Sequence, residues 1–163
     1  MDRRRLAEMD AAYRALEMRL EIVRAAVRQA GLECTSGWYN GHYARDGRGE
    51  FRRQAYPIPV VSVKRLCDIE LGFSVLNVTV KLSPAQALAF PYETLPPCSF
   101  EACDVEDYLS DYYHAGQSLE TLRQNVAASA ESEIGFAFSW PASIEPDALV
   151  DFLTFLKGSG FFY

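Results

Sequence analysis

The chain has 163 residues, 49% of them apolar and 23% charged, with four cysteines, two histidines and a net charge of −6. That apolar content excludes a mainly disordered chain, and the lack of any apolar run near ~18 residues excludes a transmembrane helix. Met1-Asp2-Arg3-Arg4-Arg5 offers no apolar core for a signal peptide, so a cytoplasmic protein forming a single α+β domain over 1–163 is expected.

Residues 1–31 carry the clearest pattern. Leu6, Met9, Tyr13, Leu16, Leu20, Val23, Val27 and Ala30 are separated alternately by three and four residues, an amphipathic heptad helix closed by Gly31. Two readings of the stripe stand side by side. It covers the protein's own sheet, or it forms an interface with a partner chain through Tyr13, Leu16, Leu20 and Val23. Met18 and Ile22 lie outside the stripe and widen the apolar surface, which suits a helix with more than one neighbour.

From Leu32 the periodicity changes from helical to strand-like. Residues 33–82 read as an antiparallel β-meander. Its first two strands, Thr35–Ala44 and Glu50–Tyr56, flank the turn-rich Arg45-Asp46-Gly47-Arg48-Gly49, with Asn40-Gly41 as a competing turn. Pro57 and Pro59 point to an edge or a bend. Short strands over 60–64, 68–73 and 76–82 follow, and in the last Leu76, Val78, Val80 and Leu82 alternate with Asn77, Thr79 and Lys81.

Residues 83–163 read as helices with one inserted strand. Ser83-Pro84-Ala85-Gln86 supplies an N-cap, a proline at the first helical position and a capping-box glutamine. Helices are predicted over 84–90, 105–114 and 119–130, a strand over 133–140, and a last helix from Pro146 to about Gly158. Phe161-Phe162-Tyr163 is apolar enough to dock on the body. The expected fold is therefore an antiparallel meander of five to six strands, with the long first helix and the C-terminal helices packed mainly on one face.

Three constellations bear on function. Asp104, Asp107, Asp111 and His114 share one stripe of the predicted 105–114 helix, so Asp107, Asp111 and His114 are candidate metal ligands for a metal-assisted hydrolase. The same pattern also makes an ordinary solvated helix face. Trp38, Tyr39 and Tyr43, with Arg45, Arg48, Arg52 and Arg53 nearby, form an aromatic-basic hairpin. Such a hairpin grips single-stranded nucleic acid or a protein partner. An acidic chain argues against nucleic acid. The cysteines Cys34, Cys67, Cys98 and Cys103 lack zinc-site spacing and read as reduced structural thiols.

No nucleophile elbow, phosphate loop or His-Glu-x-x-His motif occurs, and no cofactor is expected. Charge divides unevenly: residues 1–66 hold 13 Lys/Arg against 8 Asp/Glu, and residues 67–163 hold 3 against 14. The order of elements, with this charge, resembles small acidic dimeric chaperones of bacterial secretion systems and small toxin-immunity proteins. It is a likeness of element order and charge, with no shared motif and no residue roles attached. The function these features predict is a non-enzymatic adaptor or chaperone-like domain that binds a protein partner or pairs as a homodimer, away from membranes.

Overall fold

A computed structural model describes residues 3–39, 43–45, 51–53, 58–104, 111–114 and 116–160. The long helix α1 (Arg3–Gln29) forms as its heptad spacing predicts. It ends where Gly31 takes φ +75°, and the two closing bonds run from Gly31 N–H to Arg28 O and from Leu32 N–H to Val27 O. This is a Schellman end, in which a left-handed residue frees two amides to cap the last carbonyls. A Cβ at this position would also crowd the Lys157 ammonium.

Seven strands form one antiparallel sheet: β1 (Cys34–Tyr39), β4 (Ile58–Val63), β5 (Cys67–Leu71), β6 (Val75–Leu82), β7 (Ser99–Asp104), β8 (Asp111–Tyr113) and β9 (Ile134–Pro141). They lie in the order β1-β4-β5-β6-β9-β7-β8, and β2 (Tyr43–Arg45) with β3 (Phe51–Arg53) makes a separate hairpin. The fold is α+β, with more strands than the five to six expected. The meander 34–82 is present as β1-β4-β5-β6, but the predicted first strand Thr35–Ala44 divides into β1 and β2. The hairpin of β2 and β3 is thus inserted into the meander rather than starting it. Asn40-Gly41 and residues 46–50 lie outside the described residues.

The largest departure falls in the second half. Asp111–Tyr113 is a strand, not the end of a helix over 105–114, and Ser99–Asp104 is a strand where a proline-bounded loop and a helix cap were expected. Residues 105–110 lie outside the described residues. β9, eight residues long, decides this arrangement. It pairs with β6 from Val75↔Pro141 to Leu82↔Ile134, and its other edge takes β7 from Ser99↔Ser139 to Asp104↔Ile134.

One face of the sheet is the core. Val61, Ile69, Val78 and Phe138 are cross-strand neighbours and all fully buried, whereas their chain neighbours Ser62, Glu70, Asn77 and Ser139 are only partly so. Helix α1 packs on β4 and β5 and against α4 (Pro146–Gly158), while α2 (Pro84–Ala89) and α3 (Leu119–Ala128) cover β6 and β8. An aromatic cluster fills the space beneath the helices: Phe138 has ring neighbours in Phe90, Phe100, Phe136 and Phe152 at 5.0–6.3 Å. Such pairs add to area burial through edge and offset ring contacts.

The capping box at α2 is complete. Ser83 Oγ accepts from the Gln86 amide at 3.2 Å, and Gln86 Oε1 accepts from the Ser83 amide at 2.9 Å. Replacing Ser83 by Ala is expected to cost about 1 kcal/mol, read from the urea midpoint at unchanged slope. An unchanged midpoint would mean that tertiary packing alone holds this short helix.

Candidate functional site

The surface best suited to recognition lies where α1 crosses the end of the sheet. β1 runs antiparallel to β4, with Trp38 opposite Pro59. Alternation along β1 puts Trp38 on the helix-covered face. On the other side of α1, β5 and β6 are joined by Gly72-Phe73-Ser74. The Gly72 amide donates to Val75 O at 2.9 Å, an approach so close that a Cβ on residue 72 would meet the same oxygen at 3.0 Å. That turn projects Phe73. Tyr13 of α1 stands between the two aromatics, 5.9 Å from Trp38 and 5.6 Å edge-on to Phe73.

Trp38 and Phe73 remain 41% and 46% exposed. Three aromatic rings meeting at a half-open corner make an apolar patch. Arg19 anchors its floor. One guanidinium nitrogen donates to Gly72 O at 2.7 Å, while Nη2 is sealed from solvent with no acceptor among the described residues. Burial lowers the pKa of this arginine.

The heptad stripe is divided between two tasks. Leu16, only 1% exposed, and Val23 are buried in the core with Ala26 and Val27, so of the residues read as partner-binding these two pack against the chain's own sheet and leave no area for a partner. Leu20 is half-buried at the edge of the same cluster. Tyr13 and Trp38 come together at the corner. Tyr39 ends β1 and Tyr43 opens β2. Sequence reading missed Phe73, which it placed at the end of a strand over 68–73 with nothing to separate it from the core. The strand ends at Leu71, and Phe73 lies in the turn after it.

The candidate metal ligands are not gathered on a helix. Asp111 begins β8, opposite Cys103, His114 follows that strand as an exposed residue, and Asp107 lies outside the described residues. Tyr112, between them, is fixed from α3 by Asn125 Nδ2 donating to its carbonyl and by its hydroxyl pairing with Ser129. Among the described residues, no group of three His, Cys, Asp or Glu side chains is placed to hold a metal ion. The four cysteines are unbridged, and burial pushes the Cys98 thiol up to about 11 and the Cys67 thiol further, with Asp68 adding to the latter.

The sheet face away from the helices is polar. Glu70 stands there between Val60 and Asn77, and Ser139 donates to Asn77 Oδ1 at 2.7 Å. Desolvation, helped by the nearby Asp68 charge, raises the Glu70 pKa. A raised carboxyl pKa in the folded state favours folding at acid pH, and that contribution is lost as pH rises through the folded value. Glu70→Gln is therefore expected to raise the urea midpoint at pH 7, with the gain vanishing below the ordinary glutamate range. A pH-independent change would assign the effect to packing.

No family model matches the chain, and no curated protein matches it. Among solved structures, it is similar to a conserved hypothetical protein from Pyrococcus furiosus. The likeness covers 96% of this chain and 99% of that one, at a TM-score of 0.76 and 13% identity. It shows a shared fold and carries no activity.

Proposed function

We propose that this chain is a non-enzymatic protein-binding module of the adaptor or chaperone-like kind, which holds an apolar segment of a partner at the Tyr13–Trp38–Phe73 corner. The observation that carries this reading is the pair of half-exposed aromatics braced by Tyr13. Trp and Tyr dominate the anchors of protein interfaces, because they bury large area at little entropic cost. Among the described strands, β1 is also the terminal one of the seven-stranded sheet, the kind of edge that an extended partner segment can join.

The other readings have less support. A helical stripe holding Asp107, Asp111 and His114 requires a helix where Asp111–Tyr113 is a strand. Single-strand binding rests on a hairpin whose positive charge is offset by Asp46 and Glu50.

Selection of displayed 12-residue peptides on the intact protein tests the proposal. Apolar-aromatic peptides are expected, and Trp38→Ser with Phe73→Ser is expected to weaken them at least tenfold, since one hot-spot aromatic contributes about 2 kcal/mol or more. Selected peptides that bind the double variant equally well would contradict it.

A further inference from the structure

The outer face of α1 has a second repeat, distinct from the one that packs on the sheet. Ala11, Ala15, Met18, Ile22 and Ala25 follow at spacings of 4, 3, 4 and 3, and all are exposed, Met18 at 70% and Ile22 at 48%. Two large apolar side chains on a helix whose core face is already satisfied mark an unpartnered surface. It lies apart from the aromatic corner, and the inference does not rest on the function proposed for that corner. We propose that this face pairs antiparallel with the same face of a second copy of the chain.

Size and charge both select the occupant and its direction. In an antiparallel pair the two seam positions of each heptad alternate across the interface, so Ala15 sits opposite the partner's Met18, and Ile22 opposite the partner's Ala11. Each large side chain meets a small one. The residues flanking the seam on one side are Arg14, Glu21 and Arg28, and in this register Arg14 lies beside the partner's Glu21, twice by symmetry. Both are exposed and bridged within their own helix, Arg14 to Asp10 at 2.9 Å and Glu21 to Arg24 at 3.0 Å, so pairing exchanges these exposed contacts for intermolecular ones.

The alternatives are penalised. Sliding one helix by a heptad puts Arg14 against the partner's Arg28 and Glu21 against the partner's Glu21. A parallel pair puts Arg14 beside the partner's Arg19 and stacks Met18 on the partner's Met18 next to layers of facing alanines. Like charges and mismatched volumes oppose both.

Glu8 takes the next seam position, opposite the partner's Ala25, so the wholly apolar seam spans Ala11–Ile22, about 17 Å at 1.5 Å per residue. A seam this short gives reversible association rather than an obligate dimer. Sedimentation velocity of the full chain from about 10 μM to about 1 mM is expected to move from 18.3 kDa toward twice that mass.

Met18→Glu is expected to remain folded by circular dichroism and to weaken association at least tenfold. Arg14→Glu and Glu21→Arg are each expected to weaken it several-fold, and the double variant to recover it. A chain that stays monomeric throughout, a dimer indifferent to Met18→Glu, or a double variant no better than either single change would overturn the proposal. Peptide binding at the aromatic corner is expected to be unaltered in Met18→Glu, which keeps the two surfaces distinguishable.

Discussion

Phe138→Ala is expected to lower the unfolding free energy by about 3–5 kcal/mol, measured by urea denaturation at unchanged slope. Phe138 is fully buried on β9 and is the point where four other rings meet. It also stands between Val78 on β6 and Phe100 on β7, so it joins the two halves of the sheet through one side chain. Rings packed on every side cannot collapse into the vacated volume, which places the cost in the upper part of the range for a large-to-small change. A loss under about 1 kcal/mol would mean that the two halves are stabilised separately and that the cluster is not their common core.

The second large effect separates the two faces of α1. Leu16→Glu is expected to cost at least about 3 kcal/mol, because it places a carboxylate without a partner among Leu16's buried neighbours. Met18→Glu, two residues further on, is expected to change stability by less than about 0.5 kcal/mol, since that side chain already stands in solvent. Thermal unfolding of the two variants reads the contrast directly. Equal effects would mean that α1 is rotated about its axis relative to the sheet.

Much of this fold was legible in local chemistry. The stripe from Met9 to Ala30 and the glycine that follows it specify α1 and its end, because a 3.6-residue period and a left-handed cap are properties of the local chain. The same holds for Ser83-Pro84-Ala85-Gln86, which encodes the start of α2 in four residues. The alternation at Leu76–Leu82 identified β6 and its buried face. These elements are specified close to where they form.

β7 and β8 were not legible for the opposite reason. Ser99-Phe100-Glu101-Ala102-Cys103-Asp104 does alternate, with Phe100 and Ala102 facing the core, but prolines before it and acids after it give a stronger local signal for loop and cap. What makes it a strand is β9, thirty residues further on, and Asp111–Tyr113 in turn needs β7 and the hydrogen bonds from α3. Pairing across such distances overrides propensity. The metal reading failed as a helix stripe for this reason.

The candidate site was half legible. Tyr13 and Trp38 stood out by residue type, but their contact depends on how α1 lies across the sheet, packed on β4 and β5. Phe73 owes its exposure to a turn that Gly72 closes tightly, where a Cβ would meet Val75 O at 3.0 Å. The stripe on α1 also showed how a repeat misleads. Leu16 and Val23 look like an interface by spacing, yet burial gives them to the sheet, and the unpartnered surface is the weaker repeat around Met18 and Ile22.

The two tryptophans allow recognition at the aromatic corner to be measured directly. Trp140 donates its indole N–H to Pro97 O and packs edge-on against Phe152 at 4.6 Å, so it reports on the core, whereas Trp38 reports on the corner. In a Trp140→Phe variant, titration with a selected apolar peptide is expected to give a saturable blue shift of Trp38 emission, with the same midpoint as binding measured by peptide anisotropy. Peptide binding that leaves Trp38 emission unaltered would place the recognition surface elsewhere and contradict the account.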